Sequence, residues 1–274
     1  NVYNYRNEGV IAADVVSFDR PLDYRGFRTF MWFEYPVAIA ADRNLANATY
    51  ATDIDVHSGA VSLAGARSII TSGHDEYWTL QERNNVEAAI STGTNLFITG
   101  ANTMYWRVRL AASNAGENRR ILAYKSTRKD PLKKSTQTTM RWRDAPKDNP
   151  ESKLMAVQYK QWFDYCDGYD QPWKIFDPSW WGYANTGTSK GAEYPGLVGR
   201  EADQLVNGSS IPTQTQVLAR GKYTCTVKGV TKKKNHEAVY ITTKSGAGIF
   251  ATGTQVWACA MNGNCDRPQI SETK

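Results

Sequence analysis

The sequence predicts an α/β fold with an open, mostly parallel sheet, and three observations lead there. A β-rich run from Arg67 to Ser72 stops at Gly73. Thr79-Leu80-Gln81-Glu82 then reads as a capping box, in which the Thr79 hydroxyl and the Glu82 carboxylate satisfy each other's free backbone amides at a helix start. A second β-rich run, Thr94 to Thr99, stops at Gly100. Strand, helix and strand in that order make a βαβ unit, whose crossover lays the two strands side by side with their carboxyl ends on one rim.

The remaining elements follow in chain order. Asp14 to Arg20 reads as a strand broken by Arg20-Pro21, and Pro36 is placed to start a helix over Val37 to Ala41 after the aromatic stretch from Phe27 to Tyr35. Ala48 to Asp53 reads as a short strand. In the expected helix, Val86, Ala89 and Ile90 share one face, and Thr92-Gly93 supplies its stop. A loop-rich insertion is expected at about 110–236, dense in Tyr, Trp, Asp and Gly between Gln158 and Tyr194. The chain closes on a hairpin, Ala238 to Thr243 turning at Lys244-Ser245-Gly246 into Gly248 to Thr252. With 274 residues and 41% hydrophobic residues, the whole of 1–274 is expected to form one domain.

Composition removes several function classes. No apolar run approaches the roughly 18 to 20 residues that span a bilayer. The opening NVYNYRNEGV has the pattern of neither a signal nor a transit peptide, and it reads as a processed or truncated start. A net charge of +6 would suit nucleic acid, but the lysines gather in runs such as Lys133-Lys134 and Lys232-Lys233-Lys234 without a nucleic-acid motif, so they are expected in solvated loops. Cys259 and Cys265 flank a turn-prone Met-Asn-Gly-Asn that could bring them within disulfide range, leaving Cys166 and Cys225 to each other or to free thiols. An even cysteine count with one such loop points to an oxidising compartment, hence a secreted or exterior protein. No CxxC, GxSxG, P-loop or HExxH is present, which argues against structural zinc and against a serine or cysteine hydrolase.

Chemistry is expected at the shared rim, because ligands of open α/β sheets bind outside the carboxyl ends of the strands. Those ends read Gly73-His74-Asp75-Glu76 and Gly100-Ala101-Asn102. His74 can act as a base or a ligand, Glu76 points to the same side in an extended chain, and the carboxamide of Asn102 can orient a carbonyl. The competing reading makes His74 and Asp75 caps of the sheet edge. Asp75 itself is assigned a structural role, and His57 and His236 are expected in a polar turn and a lysine-rich loop, away from catalysis.

Six segments extend the argument: SGHDEYWT at 72–79, GANTMYWRVR at 100–109, VVSFDRP at 15–21, FEYP at 33–36, GLVGREAD at 196–203 and GAGIFATGTQVWAC at 246–259. Together they resemble the C-terminal domain of the large (beta) subunit of the N,N-dimethylformamidase family, over nearly the whole chain. The resemblance implies a class I glutamine-amidotransferase-like, flavodoxin-like core and a mononuclear ferric (Fe3+) site held by two tyrosinates and one glutamate. Carried over by motif, the glutamate ligand corresponds to Glu76, the nearby imidazole to His74 and the carboxamide to Asn102. One tyrosine ligand corresponds to Tyr35 in FEYP, with Tyr50 in reserve. The other lies upstream of the first residue here, unless Tyr3 or Tyr5 takes its place.

Glu201 in GLVGREAD is either the distal acid or base of that site or a surface loop carboxylate. The implied activity is hydrolysis of C–N bonds in small amides, with a homo-oligomer or a partner subunit as the assembly. Two other readings stand beside it: a non-catalytic binding or structural module on the cell exterior, and a carbohydrate surface built on Trp173, Trp180 or Trp181.

Overall fold

The computed structural model describes residues 13–19, 27–45, 47–133, 135–144, 149–163, 171–208, 211–227 and 230–262. Its first half contains β1 (Val15–Ser17), α1 (Phe27–Asn44), α2 (Asp53–Ser58), β2 (Ser68–Thr71), β3 (Tyr77–Thr79), α3 (Leu80–Ser91), β4 (Asn95–Ile98), β5 (Trp106–Ser113) and β6 (Gly116–Leu122). Then follow α4 (Ser152–Met155), β7 (Val157–Trp162), β8 (Gln171–Lys174), β9 (Glu193–Val198), β10 (Glu201–Leu205), β11 (Thr215–Val227), β12 (Val230–Thr242) and β13 (Gly248–Ala251).

This is not the open parallel, flavodoxin-like sheet that the sequence predicts. The strand–helix–strand unit is present: Thr79 and Glu82 form their capping box at the start of α3, and β2 pairs in parallel with β4. Around it, however, the central sheet runs β11-β12-β13-β4-β2, so two parallel pairings are joined to two antiparallel ones. A second sheet, β1-β6-β5-β3, is parallel only between β3 and β5. Antiparallel strands need only tight turns and no crossover helix, which is why the described residues hold thirteen strands against four α-helices.

Most of the difference lies in 110–236, expected as loop-rich. It carries β6 to β11 and the start of β12, and β11 and β12 are thirteen residues each. Their pairing sets Tyr223 opposite Lys234 and Cys225 opposite Lys232. Lys232 to Lys234 therefore lie on a strand, and His236, expected in an exposed loop, is wholly buried on the same strand. Two smaller corrections come earlier. Phe27 to Tyr35 is helical, with Pro36 inside α1, and the segment expected as a strand at 48–53 leads into α2 instead, where Thr52 and Asp55 form a second capping box. The closing hairpin is formed by β12 and β13, with Val239 opposite Ala251 and Ile241 opposite Ile249.

Two apolar clusters hold the layers. One packs Val86 and Ile90 of α3 against Leu96 and Ile98 of β4, Val239 and Ile241 of β12 and Ile249 of β13. The other gathers Phe163, Trp173, Val198, Ala219 and Tyr223. Trp173 and Trp180 are interior, whereas Trp181 is 68% exposed. Cys225 and Cys259 are not free thiols, and Cys166 and Cys265 lie outside the described residues. No described helix is long and apolar enough to cross a membrane.

Between the clusters, the Nε2 of His236 hydrogen-bonds the Thr252 carbonyl at 2.8 Å, while its Nδ1 is buried without a partner. Burial pushes the imidazole pKa down to about 4. The folded protein thus keeps this ring neutral where the unfolded chain, with an ordinary value near 6.5, takes up a proton. Stability contributed by neutral His236 is complete above about pH 6.5 and falls by roughly 3 kcal/mol as the pH drops toward 4. Urea midpoints measured across that range will show this loss in the unaltered protein and a shallower slope in His236→Gln, which retains a donor for Thr252.

Candidate active site

The rim predicted from the βαβ unit exists, and its construction depends on two glycines. After β2 and β4 the chains approach so closely that a Cβ on Gly100 would stand 2.2 Å from the Gly73 carbonyl oxygen. Gly73 itself takes φ +69°, a left-handed conformation that a residue with a Cβ adopts at a cost. This contact turns Gly73-His74-Asp75-Glu76 and Gly100-Ala101-Asn102 toward each other. The backbone at Asn102 is also left-handed, with φ +58°, and its N–H donates to Asp203 Oδ1 at 2.9 Å. Asp203 is buried, and burial drives its carboxyl up to about 7 against the lowering effect of that hydrogen bond.

The third wall comes from the end of the chain. β10 begins at Glu201, and the segment after β13 runs beside it: Thr254 bridges Ala202, Asp203 N donates to the Gly253 carbonyl at 2.9 Å, and Gln255 N donates to the Glu201 carbonyl at 3.3 Å. Gly253 permits the turn, with φ +64° and a Cβ position that would fall 2.3 Å from the Glu237 carbonyl oxygen. Gln255, 3% exposed, is thereby carried to the side of Glu201 that faces His74.

These side chains close a ring. His74 Nε2 lies 3.0 Å from Glu76 Oε2. On its other edge, His74 Nδ1 contacts Gln255 Nε2 and lies 3.3 Å from Glu201 Oε2. Gln255 Nε2 also donates to Glu201 Oε2 at 2.6 Å. Asn102 Nδ2 completes the circuit, donating to Glu201 at 3.1 and 3.2 Å and to Glu76 Oε1 at 3.3 Å. Burial works to lower the His74 pKa, but the Glu76 hydrogen bond and the charges of Glu201 and Glu76 outweigh it, and the net direction is upward. Glu76 and Glu201 side chains are 11% and 13% exposed, so the ring is nearly dry yet reachable.

Of the five residues singled out from sequence, four meet here: His74, Glu76, Asn102 and Glu201. Glu201 is therefore a member of the cluster and not a surface loop carboxylate. Tyr35 lies in α1 at a position whose side chain is outside those described, and Tyr3 and Tyr5 lie outside the described residues. Tyr50 is 61% exposed and bonds Asp42 and the Ala38 carbonyl on the outer surface, so it is not at the ring.

Sequence reasoning missed Gln255, because a glutamine in TGTQVW carries no motif of its own. It also missed Tyr159 and Lys125 at the margin. Burial raises the Tyr159 hydroxyl pKa well above its usual range, reinforced by the charges of Glu201, Tyr105 and Glu76. Lys125 Nζ sits 4.6 Å from the Trp106 ring centre and donates to the Tyr77 hydroxyl at 2.9 Å. Burial lowers its ammonium pKa to about 8, with Glu76 opposing.

A separate carboxylate group, Asp53, Asp75 and Glu82, has ligand oxygens within 4.8 Å of one another at the starts of α2 and α3. Burial, then the neighbouring Asp53 and Asp75, push Glu82 up to about 10, while its Oε2 accepts from Thr79 N at the start of α3. Asp75, expected in a structural role, lies between β2 and β3 with its carboxylate near those of Asp53 and Glu82. His57 is in α2, its Nδ1 2.7 Å from Thr79 Oγ1 and away from the ring.

No curated protein matches the chain. The family comparison does: residues 1–268 match the N,N-dimethylformamidase beta subunit-like C-terminal domain. With 268 of its 274 residues covered, the chain belongs to the N,N-dimethylformamidase beta subunit-like, C-terminal family.

Proposed function

We propose that the protein is a metal-dependent hydrolase of C–N bonds in small linear amides, acting at the His74–Glu76–Asn102–Glu201 ring. The observation that supports this reading is the convergence of an imidazole, two carboxylates and a carboxamide from three distant segments, in a chain of this family. Such a set has no need to be buried for stability alone, since removing two carboxylates from water costs several kcal/mol before their partners offset it.

The roles follow from position. His74 lies between two carboxylates, which stabilise an imidazolium, so it can take a proton from an attacking water and return it to the amine nitrogen as the C–N bond breaks. Glu201 holds that water or accepts the proton with His74. Each oxygen of Glu76 accepts one hydrogen bond, from His74 or Asn102, and a carboxylate has about four acceptor positions. This buried anion suits a hard cation, and Glu76 with Tyr35 would hold ferric iron. When bound, iron would supply Lewis-acid polarisation of the amide carbonyl and acidify a water molecule. A beta-subunit family also makes a partner subunit or a homo-oligomer part of the proposal, and the absence of free thiols among the described cysteines supports placement outside the cell.

Two measurements test the reading together. Metal analysis with visible absorption is expected to find near-stoichiometric iron and a tyrosinate-to-iron charge-transfer band. On an amide that the unaltered protein hydrolyses, Glu76→Ala and His74→Ala are each expected to lower kcat/KM by about 100-fold or more. Full activity in both variants would sink the mechanism. A metal-free protein without amidase activity would favour the non-catalytic exterior module, with Trp181 as the exposed aromatic to examine for sugar binding.

A further inference from the structure

The ring's hydrogen atoms can be counted. Gln255 Nε2 faces two groups, Glu201 Oε2 at 2.6 Å and His74 Nδ1, and a primary amide nitrogen has one hydrogen for each. Turning the amide over would set its oxygen against an ionised carboxylate oxygen at that same distance, acceptor to acceptor. The nitrogen therefore donates both ways, and His74 Nδ1 in the neutral ring must be an acceptor. The ring proton is then on Nε2, where Glu76 Oε2 accepts it at 3.0 Å. Asn102 Nδ2 also has two hydrogens and two carboxylates to satisfy. Every N–H in the circuit has an acceptor, and each carboxylate receives at least two hydrogen bonds.

We propose that Gln255 is a positioning residue of this site: its amide nitrogen links Glu201 to the Nδ1 edge of His74 and fixes the imidazole in the tautomer protonated on Nε2. In this tautomer the single lone pair of Nδ1 accepts from Gln255, beside Glu201, while Nε2 is tied to Glu76, so Nδ1 takes up a proton only as the Gln255 hydrogen bond to it is released. The placement of Gln255 comes from the backbone and not from a flexible side chain. Gly253 and Thr254 run along β10, so Gln255 N bonds the Glu201 carbonyl and the two side chains start from adjoining positions. With 3% exposure, the amide has no room to trade these partners for bulk water. The inference deepens the proposed hydrolase site and rests on it for its catalytic meaning, but the tautomer is a property of the protein alone.

The test is long-range 1H–15N correlation on protein labelled at its three histidines, at alkaline pH, with any bound iron exchanged for diamagnetic gallium(III). His74 is expected to show an unprotonated Nδ1 and a protonated Nε2 in the unaltered protein. Gln255→Leu, which removes both hydrogen bonds, is expected to lose this single-tautomer pattern. Gln255→Glu, which places an acceptor against Nδ1, is expected to move a proton onto it. Buried His236 serves as the fold control in each spectrum. A proton on Nδ1 in the unaltered protein, or an unchanged His74 pattern in a folded variant, overturns the proposal. Should Gln255→Leu fail to fold, the Gln255→Glu spectrum decides alone. Because no substrate is needed, a failed amide assay would remove the hydrolase reading while leaving this result intact.

Discussion

Two carboxylates, Glu76 and Glu201, are kept in a nearly dry space within reach of one carboxamide, and the surrounding structure answers that constraint. Like charges this close would ordinarily force one group to take a proton. Here Asn102 lies between them, Gln255 supports one side and His74 joins both. A neutral amide nitrogen is suited to this task, because it offers two hydrogens without adding a charge that would pull the carboxylates into a collapsed ion pair. Arginine in that position would add a full positive charge beside the carboxylates, whereas amide donors bridge them without one.

The fold explains why these groups can meet. Parallel β2 and β4 send two chain segments out of the same rim, and the Gly73–Gly100 contact folds those segments onto each other. β13 joins the same sheet in parallel beside β4, so its exit delivers Gly253 to Gln255 to that rim as well. β10 then lies across the exit and contributes Glu201 and Asp203. Asp203 accepts the N–H of the left-handed Asn102 backbone, and its burial outweighs that hydrogen bond and raises its carboxyl pKa. The site is thus a property of three strand ends and one crossing strand.

What was legible in the sequence had a local cause. The capping box at Thr79 and Glu82, the two β-rich runs and their glycine stops are short-range signals, and they were enough to place His74, Glu76 and Asn102 on one rim. Glu201 could be named only through its resemblance segment, because its partners Asn102 and Gln255 are 99 and 54 residues away from it in sequence. Gln255 had no signal at all. The fold class was misread for a related reason. β12 opens with Val230-Thr231-Lys232-Lys233-Lys234, a composition that resembles a solvated loop, and only the long pairing with β11 makes it a strand. Similarly, His236 looks polar in sequence but points into the core beside Trp173.

The orientation of Asn102 changes what the site can ask of a ligand. As a candidate residue it was expected to orient a carbonyl, which requires its N–H groups. Both hydrogens are instead committed to Glu76 and Glu201, and the oxygen Oδ1 is buried without a partner among the described residues. An unpaired buried acceptor is costly, about 1 to 3 kcal/mol, so it is best explained by a donor that arrives with the reactants. An attacking water or an amide N–H brings such a donor, while a carbonyl does not. In the proposed hydrolase, orientation of the carbonyl would fall to the cation that Glu76 would hold, and Asn102 would hold the nucleophile or the nitrogen side of the bond. Under that proposal the two ends of a C–N bond would be read by different groups, the carbonyl side at Glu76 and the nitrogen side at Asn102.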